Sequence, residues 1–217
     1  MVGMIIDFEG IDGTGKRTQS NLLKSYFQEH GRKVILYSYP DYESKYGKII
    51  KSFLDSQINL NIDEQFLLYL VDMVKDKENI QKLLQKDYIL IMDRYFLSSI
   101  AYQCANGFDY QKAKKIIELL CLPIPSIIFY LETSIEVAQR RKSNQKGVVD
   151  RFESDIEFFQ IVIKIYENLI KERYPSPNWI KLDGGLDSSS IHQKVITSLS
   201  VKNTFPFSDP DPSRERM

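Results

Sequence analysis

Short apolar runs rich in Ile, Val, Phe and Tyr alternate along the chain with longer stretches of helical period. That alternation reads as repeated β-α units around a mostly parallel sheet. Five strands are expected, over residues 4–9, 33–39, 88–93, 126–132 and 179–183. The third and fourth are nearly all apolar, as strands covered on both faces should be, which places them centrally. Amphipathic stretches over 16–30 (closing at Gly31), 46–54, 63–84, 110–120, 152–171 and 191–199 predict the helices between them. Connections are short, and neither an internal repeat nor a linker divides the chain. The expectation is therefore one α/β domain over residues 1–203. The last twelve residues hold three of the eight prolines, with charges and no apolar period, so 204–217 is expected to be a disordered tail.

With 217 residues, 43% hydrophobic and 27% charged, the chain has the composition of a soluble globular protein and can bury a core without disulfides or metals. Its 29 basic and 29 acidic residues cancel, which argues against a surface tuned to nucleic acid or anionic membrane. Cys104 and Cys121 have no zinc or redox spacing, so a reduced, cytoplasmic setting is expected. The N-terminal apolar stretch carries Asp7 and Glu9 and makes a poor signal peptide, and no apolar run approaches membrane-spanning length.

Directly after the first strand, Gly10-Ile11-Asp12-Gly13-Thr14-Gly15-Lys16 leads into a helix and matches GxxxxGK in its strand-loop-helix context. Such a loop turns backbone N–H groups around phosphates, the helix N-terminus adds positive potential, and the lysine reaches the β- and γ-phosphates. The next residue is Arg17, where a hydroxyl would ligate Mg²⁺, with Thr18 one step later. Either phosphates, waters and carboxylates hold the metal, or Arg17 contacts phosphate and supplies part of its charge.

The run from Phe8 to Gln19, together with Asp93-Arg94-Tyr95, Ser98 to Tyr102 and Asp150-Arg151-Phe152-Glu153, closely resembles the thymidylate kinase family over roughly residues 3–200. Gly-Lys-Arg-Thr and Pro40-Asp41-Tyr42 resemble a bacterial branch that shares the Arg after the loop lysine. The resemblance implies the P-loop nucleoside monophosphate kinase fold, three α/β/α layers with a five-stranded parallel sheet, and phosphoryl transfer from ATP to dTMP. Gly10 to Thr18 would hold ATP, and Arg140 would pack on adenine. Asp12 would also meet the sugar 3′-hydroxyl. Tyr69 would stack on thymine, worth about 1–3 kcal/mol per base, Met73 and Ser99 would face the base, and Tyr39 would also belong to the dTMP site. Arg94 and Tyr42 would hold the dTMP phosphate, and Tyr102 would exclude a ribose hydroxyl. Asp93, Asp12 and Glu153 would orient Mg²⁺ through water. Glu153 would also lie near the sugar.

Residues 140–152 read as a cationic loop without apolar period, a mobile lid. Because the loop carries Gly13 where another branch has a catalytic arginine, Arg141, Lys146 and Arg151 are the implied catalytic cations beside Lys16 and Arg94, with Asp93 at the metal. One departure stands out: Met73 occupies the place of the arginine that usually meets thymine O4. A broader-range deoxynucleoside monophosphate kinase and a catalytically impaired nucleotide-binding homologue are the alternatives. The family implies a homodimer, part of whose interface helix 63–84 would supply, and no nucleic-acid or membrane partner is expected.

Overall fold

The computed structural model of the chain describes residues 3–143 and 156–201. In chain order it runs β1 (Met4–Glu9), α1 (Lys16–Glu29), β2 (Val34–Ser38), α2 (Lys45–Leu54), α3 (Ile62–Val74), α4 (Lys77–Gln85) and β3 (Ile89–Asp93). It continues through α5 (Phe96–Ala105), α6 (Tyr110–Leu120), β4 (Ile127–Glu132), α7 (Ile135–Ser143), α8 (Ile156–Glu172), β5 (Trp179–Asp183) and α9 (Ser188–Val201). All strand pairings are parallel, in the order β2-β3-β1-β4-β5.

Alternate residues of each inner strand enter different cores. Ile6, Phe8, Ile91 and Phe129 pack with Leu23 and Phe27 of α1 and Val195 of α9. On the other face Ile5, Leu90, Met92 and Ile128 meet Phe66 of α3, Ile100 of α5 and Val162 of α8. The result is the expected α/β/α sandwich. β3 and β4, expected at the centre, flank β1, because β1 pairs with both. The chain leaves β1 toward β2 and leaves β3 toward β4, so the loops after these neighbouring strands diverge to opposite sides. Such a crevice at the carboxyl ends of the strands is where open α/β sheets bind ligands.

Three helical expectations change. The single helix over 63–84 is two, α3 and α4, broken where Lys75 and Asp76 turn their side chains to polar partners below β2. α5 carried no amphipathic signal because seven of its ten residues are buried. α7 extends through Arg140, Arg141 and Lys142, which are therefore the last helical turn and not a loop; cations there complement the helix dipole. No helix among the described residues is long and apolar enough to cross a membrane.

Two acids on β1 meet opposite fates. Glu9 is fully buried and accepts hydrogen bonds from the Tyr95 and Ser98 amides (3.0 and 3.2 Å), Ser98 Oγ (2.6 Å) and Tyr166 Oη (2.7 Å). It thereby ties β1 to the start of α5 and to α8. Asp7, equally buried, has neither carboxyl oxygen hydrogen-bonded among the described residues. Burial, then the neighbouring Glu9 and Asp93 charges and the Glu9 carboxyl within hydrogen-bonding reach, push its carboxyl well above the ordinary range, which favours its neutral form. A raised carboxyl contributes stability that declines as pH rises from the unfolded carboxylate range toward the raised value. Asp7→Val is expected to raise unfolding free energy by about 1–3 kcal/mol at pH 7 and to flatten that decline. Urea denaturation across pH checks this, and a destabilised variant would refute the unpartnered state.

Candidate active site

The loop after β1 wraps the N-terminus of α1 because its glycines adopt left-handed backbone angles, with φ of 81° at Gly13 and 97° at Gly15. At Gly13 an added Cβ would run into the backbone of Ala138 on α7, so no side chain fits where that helix crosses the loop. The cleft at this point is lined by Asp12 to Thr18, by Asp93 at the end of β3 and Arg94 just after it, by Arg141 and Lys142 of α7, and by the β5–α9 turn at 186–188. Gly10 and Ile11 contribute backbone: their carbonyls accept from Arg94 (3.1 Å) and Lys16 Nζ (2.6 Å). Arg140 is exposed and is not among the residues lining the cleft.

With its ammonium folded onto Ile11 and Thr14, Lys16 is 6% exposed. Burial, reinforced by the Arg94 cation and opposed by Asp12, Asp93 and Glu9, brings it down to about 7. Burial alone would raise Asp12, but Arg94, Lys16 and Lys142 hold its carboxyl well below the usual range. Asp93 is raised by burial against the pull of Lys16, Arg94 and Arg17.

Arg94 joins this cleft to a second one. Its φ of 69° lies in the left-handed region, a strained backbone at the end of β3. The guanidinium donates to Asp12 Oδ1 (2.5 Å), Ser98 Oγ (2.9 Å) and Tyr102 Oη (3.1 Å), and lies 5.0 Å over the Tyr102 ring. Asp12 and Arg94 line both clefts.

The second cleft gathers Tyr39, Tyr42, Tyr69, Met73, Ser99 and Tyr102, the expected acceptor residues within the described chain. Glu153, Lys146 and Arg151 lie outside the described residues. Tyr39 is held from behind: its hydroxyl donates to Asp76 (3.0 Å) and its ring stacks on Tyr95. Buried Asp72 accepts from the Asp41 amide (2.8 Å) and Ser44 Oγ (2.7 Å), and Lys75 bridges Asp41, Asp72 and Asp76. This network shapes the turn that carries Tyr42. Sequence reasoning missed it, along with Glu9, Ser98 and Gln103. Glu9 and Ser98 stood inside quoted motifs, whereas the Asp72–Lys75 group had no motif signal.

Arg141 donates to the carbonyls of Gly184, Gly185 (3.1 Å) and Leu186 (3.2 Å), tying α7 to the β5–α9 turn. Among the described residues no three acidic, His or Cys groups form a metal cage. Asp12 is already ion-paired, while Asp93, beside it, and Asp187, on the β5–α9 turn, are the other carboxylates lining the phosphate-loop cleft. That donor set suits Mg²⁺ carried on substrate phosphates with most of its waters kept.

A depressed Lys16 has a measurable consequence. At pH 8 the amine is largely neutral, and a triphosphate bound beside it would restore its proton. ATP binding at pH 8 is expected to take up about one proton. Calorimetry in two buffers of different ionisation enthalpy reads it, and the uptake should vanish in Lys16→Met; equal heats in both buffers with the unmodified chain would refute the shift.

The thymidylate kinase family model matches residues 8–195. A thymidylate kinase of Chlorobaculum tepidum is 32% identical, covering 91% of this chain and 97% of its own. A probable thymidylate kinase of Archaeoglobus fulgidus is 36% identical over 75% of this chain and 80% of its own. A solved thymidylate kinase of Candida albicans, described as having broad substrate specificity, superposes with a TM-score of 0.77 at 25% identity over 93% of each chain. Likeness along nearly the whole length, over a phosphate loop opening into an aromatic-lined acceptor cleft, means that this chain belongs to the thymidylate kinase family, phosphotransferases that act on dTMP.

Proposed function

We propose that the chain transfers the γ-phosphoryl group of ATP to dTMP, giving ADP and dTDP, with ATP phosphates on the loop 10–18 and dTMP in the aromatic cleft. The observation that carries this assignment of roles is Arg94, which lines both clefts at their junction and is paired there with Asp12. A planar guanidinium suits bidentate contact with phosphate. An acceptor phosphate arriving beside Arg94 exchanges part of the Asp12 contact for its own oxygens, and Tyr42 at the cleft mouth adds a hydroxyl. Asp12, freed in part, turns to the sugar 3′-hydroxyl. Lys16 takes its proton back and neutralises charge on the β- and γ-phosphates. Transfer of this kind asks for positioning and charge neutralisation more than covalent chemistry.

Asp93 would hold Mg²⁺ through water, and the ion would supply charge neutralisation on the substrate phosphates. Arg17 lines the same cleft and would add charge where other loops place a metal-ligating hydroxyl. Arg141 reaches phosphate by giving up its three carbonyl contacts on the β5–α9 turn. The parts of Lys146, Arg151, Glu153 and Arg140 rest on the family resemblance. Tyr69 offers a face for thymine, and Tyr102, braced by Arg94, crowds the sugar 2′ position. Leu67 and Val71, exposed on α3, support a homodimer built across that helix, and the reduced cysteines support a cytoplasmic setting.

A coupled ADP-release assay over dTMP, dUMP, UMP and dGMP tests the reading: dTMP should lead this panel, and another monophosphate leading it would overturn the assignment. Lys16→Ala is expected to lower kcat by at least about 10³ with the fold retained by circular dichroism. Tyr102→Ala should raise the UMP-to-dTMP ratio of kcat/KM, whereas an unchanged ratio would remove Tyr102 from sugar selection.

A further inference from the structure

Among the described residues, Asp12 and Arg94 are the charged side chains lining the acceptor cleft, and both stand at its junction with the phosphate loop. A monophosphate that sets its phosphate there extends its base toward Tyr69, Met73, Ser99 and Gln103. The polar groups at that end have no fixed hydrogen-bonding sign. Ser99 and Gln103 lie one helical turn apart on α5 and are 3% and 5% exposed. Ser99 Oγ is buried without a hydrogen-bond partner among the described residues, so its hydroxyl can turn to donate or to accept. The Gln103 carboxamide carries both a carbonyl acceptor and two N–H donors, and a half-turn exchanges them. Met73 adds a weakly accepting thioether.

A 4-oxopyrimidine presents an acceptor at position 4 and an N–H donor at position 3. A 4-aminopyrimidine presents the reverse, a donor at 4 and an acceptor at 3. A hydroxyl and a carboxamide meet either pattern by rotation. A guanidinium, which only donates, or a carboxylate, which only accepts, meets one and leaves the other unpaired.

We infer that this cleft also takes 4-aminopyrimidine deoxynucleoside monophosphates, with cytosine or 5-methylcytosine as base, as phosphoryl acceptors. The inference rests on the dTMP reading and adds a substrate class to the same site. In the added reaction an oxygen of the acceptor 5′-phosphate forms the new bond to the γ-phosphorus of ATP. The bond from that phosphorus to the β,γ-bridging oxygen breaks, and its electron pair leaves with ADP.

Sites with fixed polar groups reject the mismatched analogue by about 10⁴–10⁵, whereas pockets without them discriminate by about 10². The matched probes are dTMP and 5-methyl-dCMP, whose bases differ at the 3,4 edge alone. The kcat/KM ratio of dTMP to 5-methyl-dCMP, read by ADP release with the full chain, is expected to lie within about 100-fold. A larger ratio overturns the inference while leaving the dTMP reading intact; failure of dTMP itself overturns both. Gln103→Glu, an acceptor of the same shape once ionised and so assayed at rising pH, should shift the ratio toward 5-methyl-dCMP by about tenfold, and Met73→Arg, a fixed donor, should shift it the other way. Because Met73 is 2% exposed, Gln103→Glu carries the test if the arginine variant does not fold. A ratio that Gln103→Glu leaves unmoved also overturns the inference.

Discussion

The ion pair between Arg94 and Asp12 stands where the two clefts meet, with side chains 14% and 32% exposed. Cations held in so confined a place need compensating charge, and before phosphates arrive the protein must provide it from its own side chains. Asp12 serves Arg94 directly and Lys142 at 3.6 Å. Lys16 is handled differently, by folding onto a carbonyl and yielding toward its neutral form. Among the described residues the charges at this junction are thus balanced by contacts within the protein itself. The same balance explains how a chain of zero formal net charge carries a phosphate site: the polarisation is local.

What holds the pair in place is a buried carboxylate one layer below. Glu9 on β1 gathers the first amides of α5, the Ser98 hydroxyl and Tyr166 from α8, so one buried carboxyl group fixes the strand, the helix start and the neighbouring helix together. Ser98 then passes the constraint on by accepting from Arg94. With the Arg94 amide bonded to the Phe8 carbonyl, the left-handed backbone at this residue is held from both sides. The acceptor wall has its own brace in Asp72 and Lys75, which secure the turn after β2 from behind Tyr39. These supports surround a cleft whose far end carries Ser99 and Gln103, polar side chains that can rotate.

Much of the fold was legible because its signals are local. Five apolar runs near strand length and a glycine loop between the first strand and a helix each act within a few positions of themselves. α5 escaped the same reading because burial on nearly all sides removes the polar face that periodicity detects. α7 was obscured because its last turn is cationic on every position from 140 to 142. The break between α3 and α4 depends on Tyr39 and Asp41, more than thirty positions away, and leaves no mark in the helical pattern.

The amino-acid order by itself determined that there is a phosphate loop, which residues border it, and which strands make the sheet, because these follow from backbone freedom at glycine and from the alternation of side chains along a strand. Only the tertiary structure decided that β1 is the middle strand, that Arg94 is shared by two clefts, that Arg141 is engaged by three carbonyls, and that Asp7 goes unpartnered while Glu9 two residues away is fully bonded. Those outcomes depend on what parallel pairing and helix packing bring within hydrogen-bonding reach across long stretches of chain, and a carboxylate's role is set by the partners that reach it.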